Sequence, residues 1–134
     1  SNRMWFGKRK APPIRSLVGE GTVLAGDLSF ADGLRIDGEV HGNVFATSAT
    51  SLLVVSENAR VLGEVKAGHV IISGEVRGPV LASDLLELQP TARITGNVCY
   101  ELLEMHQGAM IDGEVRPLKS AEKPALVLAA VNDA

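Results

Sequence analysis

Aromatic side chains are scarce in this chain of 134 residues: one Trp, one Tyr and three Phe, beside 14 Gly. That balance suits tight β-coils and leaves little material for an aromatic core. Cysteine is rarer still. Cys99 stands alone, so no internal disulfide can form, and a reducing cytosol is the expected compartment. No stretch approaches the roughly 18 consecutive apolar residues needed for a membrane span, and no signal-peptide core is expected. The three histidines, His41, His69 and His106, are 28 and 37 residues apart, without metal-ligand spacing and without a cysteine partner. No P-loop, nucleophile elbow or Gly-Gly-x-Gly-x-Asp calcium repeat occurs, and threonines are too irregular for an ordered array. Carboxylates do pair, as in Asp37 with Glu39, but alternation points them off a convex surface, where nothing shields an acid or base. The expectation is a non-enzymatic chain with no catalytic residue, metal or cofactor.

What the chain does have is a repeated glycine. Six times a Gly is flanked two residues away on each side by an aliphatic residue: Leu24-x-Gly26-x-Leu28, Val40-x-Gly42-x-Val44, Val61-x-Gly63-x-Val65, Val76-x-Gly78-x-Val80, Ile94-x-Gly96-x-Val98 and Ile111-x-Gly113-x-Val115. The glycines lie 16, 21, 15, 18 and 17 residues apart. Val, Ile, Leu and Met make up 40 of the 134 residues, so twelve aliphatic hits in twelve flanking positions exceed what composition supplies. A sustained period near 17 marks a solenoid.

Further columns run in step. Leu34, Leu52, Val70, Leu86 and Leu103 recur at this period, as do Ile36, Val54, Ile72, Leu88 and Met105 two places on. Residues i and i+2 share one face of a strand, so each repeat holds two half-buried strands. A third side is marked by Ala46, Ala67 and Ala82. Three strands in about 17 residues exclude a helix-containing repeat and fit one winding of a β-helix hydrogen-bonded to the next. The predicted fold is an all-β, single-stranded β-solenoid of about six windings, a rod roughly 25–30 Å long at about 4.8 Å per winding.

The outward positions give a separate check on the register. Three residues before each repeat glycine stand Val23, Glu39, Arg60, Glu75, Arg93 and Met110. Stacked windings would make these neighbours, and the middle four alternate acid and base as facing pairs prefer. The residue after each glycine runs Asp27, Asn43, Glu64, Pro79, Asn97, Glu114, with no two acids adjacent. By the same alternation from Val98, Cys99 faces outward.

Charge divides the chain into three parts: a tail over 1–15, a solenoid over 16–118 and a second tail over 119–134. The first carries five basic groups and no acid; the solenoid carries six basic and fourteen acidic groups. So acidic a body excludes nucleic acid as its partner, since phosphate binding needs basic groups gathered on one face. In the first tail, Met4-Trp5-Phe6-Gly7 leads directly into Lys8-Arg9-Lys10, with Ala11-Pro12-Pro13 as an extended spacer. Rings at headgroup depth beside cations are what an interfacial anchor requires, each cation adding about 1 kcal/mol against anionic lipid. Met4, Trp5, Phe6, Lys8, Arg9 and Lys10 are the expected membrane-binding residues. Such anchors bind weakly alone and well when arrayed on a polymer.

Three five-residue units, Ile36-Asp37-Gly38-Glu39-Val40, Ile72-Ser73-Gly74-Glu75-Val76 and Ile111-Asp112-Gly113-Glu114-Val115, lie in one short solenoid between two tails. Together with the aromatic-basic N-terminal segment they resemble the bactofilins, bacterial cytoskeletal proteins, over about Ser16 to Leu118. The resemblance implies a right-handed parallel β-helix. It also implies end-to-end, nucleotide-independent assembly into non-polar filaments, a peripheral position on the inner face of the cytoplasmic membrane, and recruitment of cell-wall-modifying or polarity proteins. Bactofilins often carry an aromatic residue in the final winding, where this chain offers the aliphatic Met110 and Ile111.

Polymerisation also follows from the ends themselves. A β-solenoid terminates in open windings with unpaired backbone groups and exposed aliphatic residues. Leu24 and Leu28 begin the stack and Met110, Ile111 and Val115 finish it, without an evident polar cap. These five are the expected polymerisation interface. Two other classes compete: a non-polymerising β-helix adaptor, and a hexapeptide-repeat acyltransferase. The latter needs a strict six-residue aliphatic-Gly motif that this chain lacks.

Overall fold

The computed structural model describes residues 11–119. Fifteen strands follow one another: β1 (Ile14–Val18), β2 (Val23–Ala25), β3 (Leu28–Phe30), β4 (Gly33–Ile36), β5 (Glu39–His41), β6 (Val44–Ala46), β7 (Leu52–Val55), β8 (Arg60–Leu62), β9 (Val65–Ile72), β10 (Glu75–Arg77), β11 (Val80–Leu88), β12 (Arg93–Thr95), β13 (Val98–Met105), β14 (Met110–Asp112) and β15 (Val115–Pro117). Every ladder is parallel. One side of the coil is the six-stranded sheet β2-β5-β8-β10-β12-β14, and the other two sides are joined in a nine-stranded sheet. In β9, β11 and β13 a single long strand bends across both of those sides, with a register shift between Ala82 and Leu85. The chain is therefore a parallel β-solenoid of about six windings, as its period predicts. Strand β1 straddles the expected boundary between tail and solenoid, pairing with β4 from Ile14 onward.

The repeat glycines have a steric cause. A Cβ placed on Gly42 would strike the carbonyl oxygen of Gly26; on Gly63, that of Gly42; on Gly78, that of Gly63; and so on through Gly96 and Gly113. Each turn is stacked so closely on its predecessor that only hydrogen fits. The residue after the glycine then bridges windings. The Asn43 amide donates to Asp27 Oδ1 at 2.9 Å, the Glu64 amide to Asn43 Oδ1 at 2.8 Å, and the Glu114 amide to Asn97 Oδ1 at 3.0 Å. Pro79 has no N–H to donate, and there the ladder is interrupted. The sequence of short acceptors in this column is thus a hydrogen-bonding requirement as well as a matter of charge.

The predicted inner column Leu24, Val40, Val61, Val76, Ile94 and Ile111 is in register across all six strands, and its four central members are almost fully buried. The third side runs Phe30, Ala46, Ala67, Ala82, Tyr100 and Pro117, so the alanines are bracketed by larger rings toward the ends. Two positions differ from expectation. Leu53 and Val55, not Leu52 and Val54, align with Leu34 and Ile36 and are fully buried. Four successive aliphatics, Leu52 to Val55, carry no alternation, and the 21-residue spacing hides its extra residues in the bend at 47–51. That bend is anchored by Ser51, a polar side chain only 2% exposed, whose Oγ accepts the Gly68 amide at 2.9 Å.

Candidate assembly surfaces

In the solenoid interior, parallel ladders satisfy the backbone and aliphatic columns fill the space. The two ends lack a following winding. At the N-terminal end the outermost strands are β1, β2 and β3; at the other, β14, β15 and the second half of β13, over which no strand lies. Among the described residues, the large hydrophobic side chains left exposed are Ile14, Leu17, Val23, Leu102, Met105, Met110 and Val115. All seven belong to terminal strands. Burial falls off in the same direction: Val40 to Val76 are 0% exposed, while Leu24 and Ile111 in the same column are half-buried.

Of the five expected interface residues, Met110 (60% exposed) and Val115 (46%) are open, while Leu24, Leu28 and Ile111 are half-buried members of terminal strands. The structure places Leu24 and Leu28 at one end and Met110, Ile111 and Val115 at the other. It adds Ile14, Leu17 and Val23 to the first group and Leu102 and Met105 to the second. Ile14 and Leu17 precede the first glycine unit, so they had no period to betray them. The expected anchor residues Met4, Trp5, Phe6, Lys8, Arg9 and Lys10 lie outside the described residues.

The outer surface of the six-stranded sheet is ionic. Arg60 bridges windings, its Nε 2.9 Å from Glu75 Oε1 and its Nη1 3.8 Å from Glu39 Oε1. Glu75 also accepts from Arg77 at 2.8 Å. Donation from Arg77 and then Arg60 holds the Glu75 carboxyl below the usual glutamate range. Asp37 is likewise lowered, first by the Ser56 hydroxyl and then by Arg35. Arg93 keeps its predicted place beside Glu75 in the ladder but turns its guanidinium to carbonyls, those of Ala92 at 2.8 Å and Gly108 at 3.1 Å. Cys99 faces outward and is half-buried, in register with Leu81 and Arg116.

The histidines are dispersed. His41 contacts Glu39 at 2.9 Å on the ionic side, His69 contacts Glu87 at 3.2 Å on another side, and His106 lies beyond β13. A shallow groove beside the 47–51 bend is walled by alanine methyls, hydroxyls of Thr47, Ser48 and Ser83, Leu81 and the Lys66 ammonium, which stands 5.6 Å from the centre of the Phe45 ring.

Three comparisons agree with this geometry. The family profile for bactofilins, described as polymer-forming cytoskeletal, matches residues 16–116. Bactofilin BacO of Myxococcus xanthus (strain DK1622) is 28% identical over 110 residues, covering 82% of this chain and 85% of that protein. The cryo-EM reconstruction of Thermus thermophilus bactofilin double helical filaments is similar at a TM-score of 0.69 and 32% identity, over 77% of this chain and 99% of the other.

Proposed function

This chain belongs to the bactofilin family of polymer-forming cytoskeletal proteins, and from that premise we propose that it polymerises end to end through its open terminal windings, without nucleotide, into non-polar filaments. It is a structural, non-enzymatic cytoskeletal protein, which sets the acyltransferase reading aside. The observation that carries the end-to-end reading is the opening of the inner columns at the ends: Val40, Val61 and Val76 are 0% exposed while Leu24 and Ile111 in the same column are half-buried, and Met105 and Val115, which continue the buried columns of Leu88 and Val98, are exposed on the last winding. Burying what remains exposed of Met105 or Val115 contributes about 1–2 kcal/mol each, and a few such residues per junction offset the association entropy. In a non-polar filament like ends meet like ends, so strands across each junction run antiparallel. That arrangement pairs slightly better than parallel strands.

In this proposal the segment Met4, Trp5, Phe6, Lys8, Arg9 and Lys10 attaches the polymer to anionic lipid at the inner face of the cytoplasmic membrane. There the polymer localises cell-wall-modifying or polarity proteins. Repetition along the filament turns a weak single anchor into firm attachment. Sedimentation and electron microscopy of the purified chain with and without ATP or GTP test the assembly: filaments should form equally in both, and a requirement for nucleotide would refute it. Trp5→Ser with Phe6→Ser should abolish co-pelleting of filaments with phosphatidylserine liposomes while filaments persist. Undiminished co-pelleting would remove the membrane role.

A further inference from the structure

The side of the coil formed by β4, β7 and the second halves of β9, β11 and β13 carries apolar residues outside as well as inside. Buried Leu53, Val55, Val70 and Ile72 alternate with the outward, half-buried Leu52, Val54 and Ile71. Toward the C-terminal end the outward residues become Glu87 and Glu104, in register with Ile71, beside Leu102, which is 48% exposed. The cations of the N-terminal windings are already matched: Arg15 meets Asp32 at 3.0 Å and Arg35 meets Asp37 at 2.9 Å. Glu87 meets His69 at 3.2 Å and Gln89 at 3.1 Å, and Glu104 meets His106 at 3.8 Å. Among the described residues, then, neither carboxylate has a Lys or Arg partner.

We infer that this strip is a docking site for the N-terminal segment of the same chain, with Lys8, Arg9 and Lys10 set against Glu87 and Glu104, and Trp5 and Phe6 laid on Leu102. Charge is the first reason: residues 1–15 carry five basic groups and no acid. Reach is the second. Strand β1 opens this side of the coil, and Ile14 heads the column Gly33, Leu52, His69, Leu85, Leu102. At about 4.8 Å per ladder step, β11 with Glu87 lies about 19 Å from Ile14, and Leu102 about 24 Å. An extended chain covers about 3.3 Å per residue, so Lys8 reaches about 20 Å from Ile14 and Phe6 about 26 Å. The order along the segment therefore matches the order along the strip, cations at the carboxylates and rings at the leucine. Val54 and Ile71 lie beneath the path, where the methylene stems of Arg9 and Lys10 cover them. The same carboxylates disfavour anionic lipid as the occupant of the strip, and tethering lets a weak contact of the chain's own segment suffice. One consequence rests on the proposed membrane role: the anchor is held on its own solenoid until anionic lipid competes for it.

Trp5 is the only tryptophan, so its fluorescence reports the contact. In the full chain at low salt its emission should be blue-shifted and shielded from acrylamide. Glu87→Gln combined with Glu104→Gln should move it to that of solvent-exposed tryptophan while circular dichroism stays that of the parent, and about 0.5 M NaCl should do the same to the parent. Glu20 and Glu57 are exposed in turns off the strip; a Glu20→Gln, Glu57→Gln chain loses the same charge and should keep the parent's emission. The Glu87→Gln, Glu104→Gln chain should bind phosphatidylserine vesicles at about three- to tenfold lower lipid concentration than the parent, because its anchor is already released. Phe6→Cys and Leu102→Cys, placed in one chain with Cys99→Ser and oxidised, should crosslink within the chain and give a faster-migrating monomer on non-reducing gels. Solvent-like Trp5 emission in the parent would overturn the inference. So would a shielded Trp5 that the Glu87→Gln, Glu104→Gln pair leaves unmoved, an equal shift from the Glu20→Gln, Glu57→Gln pair, or crosslinks found only between chains. The two readings fail separately. A shielded, strip-dependent Trp5 without vesicle binding supports the docking and refutes the membrane role, whereas an exposed Trp5 with vesicle binding refutes the docking alone.

Discussion

Replacing Gly63 by Ala tests the steric origin of the repeat and ties it to assembly. The added Cβ would strike the Gly42 carbonyl and stand 3.0 Å from the Asn43 amide nitrogen. Asn43 cannot give way readily, because its amide bonds to Asp27 and its side chain accepts from Glu64. Overpacking of this kind costs about 1–3 kcal/mol, while the lower chain entropy of Ala in the unfolded state returns about 0.4–1 kcal/mol. A net loss of about 1–2 kcal/mol lowers Tm by roughly 5–15 °C in a domain of this size. Gly113→Ala makes the same collision, with the Gly96 carbonyl, and adds the strain of a side chain at φ 155°, but in the last winding. Stability in a repeat fold is nearly local, so that winding should detach alone. Its Tm should fall less than half as far, while filament formation is lost because β14 and β15 no longer present a junction. Thermal denaturation by circular dichroism, with sedimentation of the same samples, measures both. A Gly63→Ala protein melting with the parent would refute the steric account, and equal Tm losses at the two sites would refute the local one.

Ser51→Ala should lower stability by about 1–3 kcal/mol in urea unfolding, because the buried Gly68 amide loses its acceptor; Ser51→Thr, which keeps the oxygen, should lose less. Stability should also decline in acid. Glu75 and Asp37 have lowered carboxyl pKa values in the fold, so the unfolded chain binds protons first as pH falls. Their contribution is complete above the ordinary carboxylate range near pH 4, shrinks as pH drops through it, and is gone below their folded values. Unfolding midpoints for the parent and for Glu75→Gln should therefore converge as pH falls below about 4; a constant gap from pH 7 to 3 would show that the Arg77 and Arg60 contacts are not its cause.

How much of this was legible depended on alternation. Where each aliphatic had a polar neighbour, as in Val76-Arg77-Gly78, one reading of the register was possible, and the column from Leu24 to Ile111 follows from it. Leu52 to Val55 offered four apolar residues in succession, and the bend before them shifted the phase by one. The reason for that bend, a serine hydroxyl holding a distant amide, has no local pattern in the sequence. The ends were legible only where the repeat reached them. Met110 and Val115 sit in a full glycine unit, whereas Ile14 and Leu17 join the coil through pairing with β4 alone. A related reason applies to outward aliphatics such as Ile71, which look like core until the fold shows which of two adjacent residues points in.

The central claim, polymerisation through open terminal windings, is tested most directly by Ile111→Arg. Ile111 ends the inner column, and an arginine there would set a cation against the apolar face of a neighbouring end, where desolvation costs several kcal/mol. The inner windings keep their contacts, so the β-sheet circular dichroism should be that of the parent. Mass photometry and electron microscopy of the folded variant should show dimers and no long filaments, the dimers joined through the untouched N-terminal windings. Monomers alone would indicate polar, head-to-tail stacking. Long filaments of folded Ile111→Arg would contradict the claim outright.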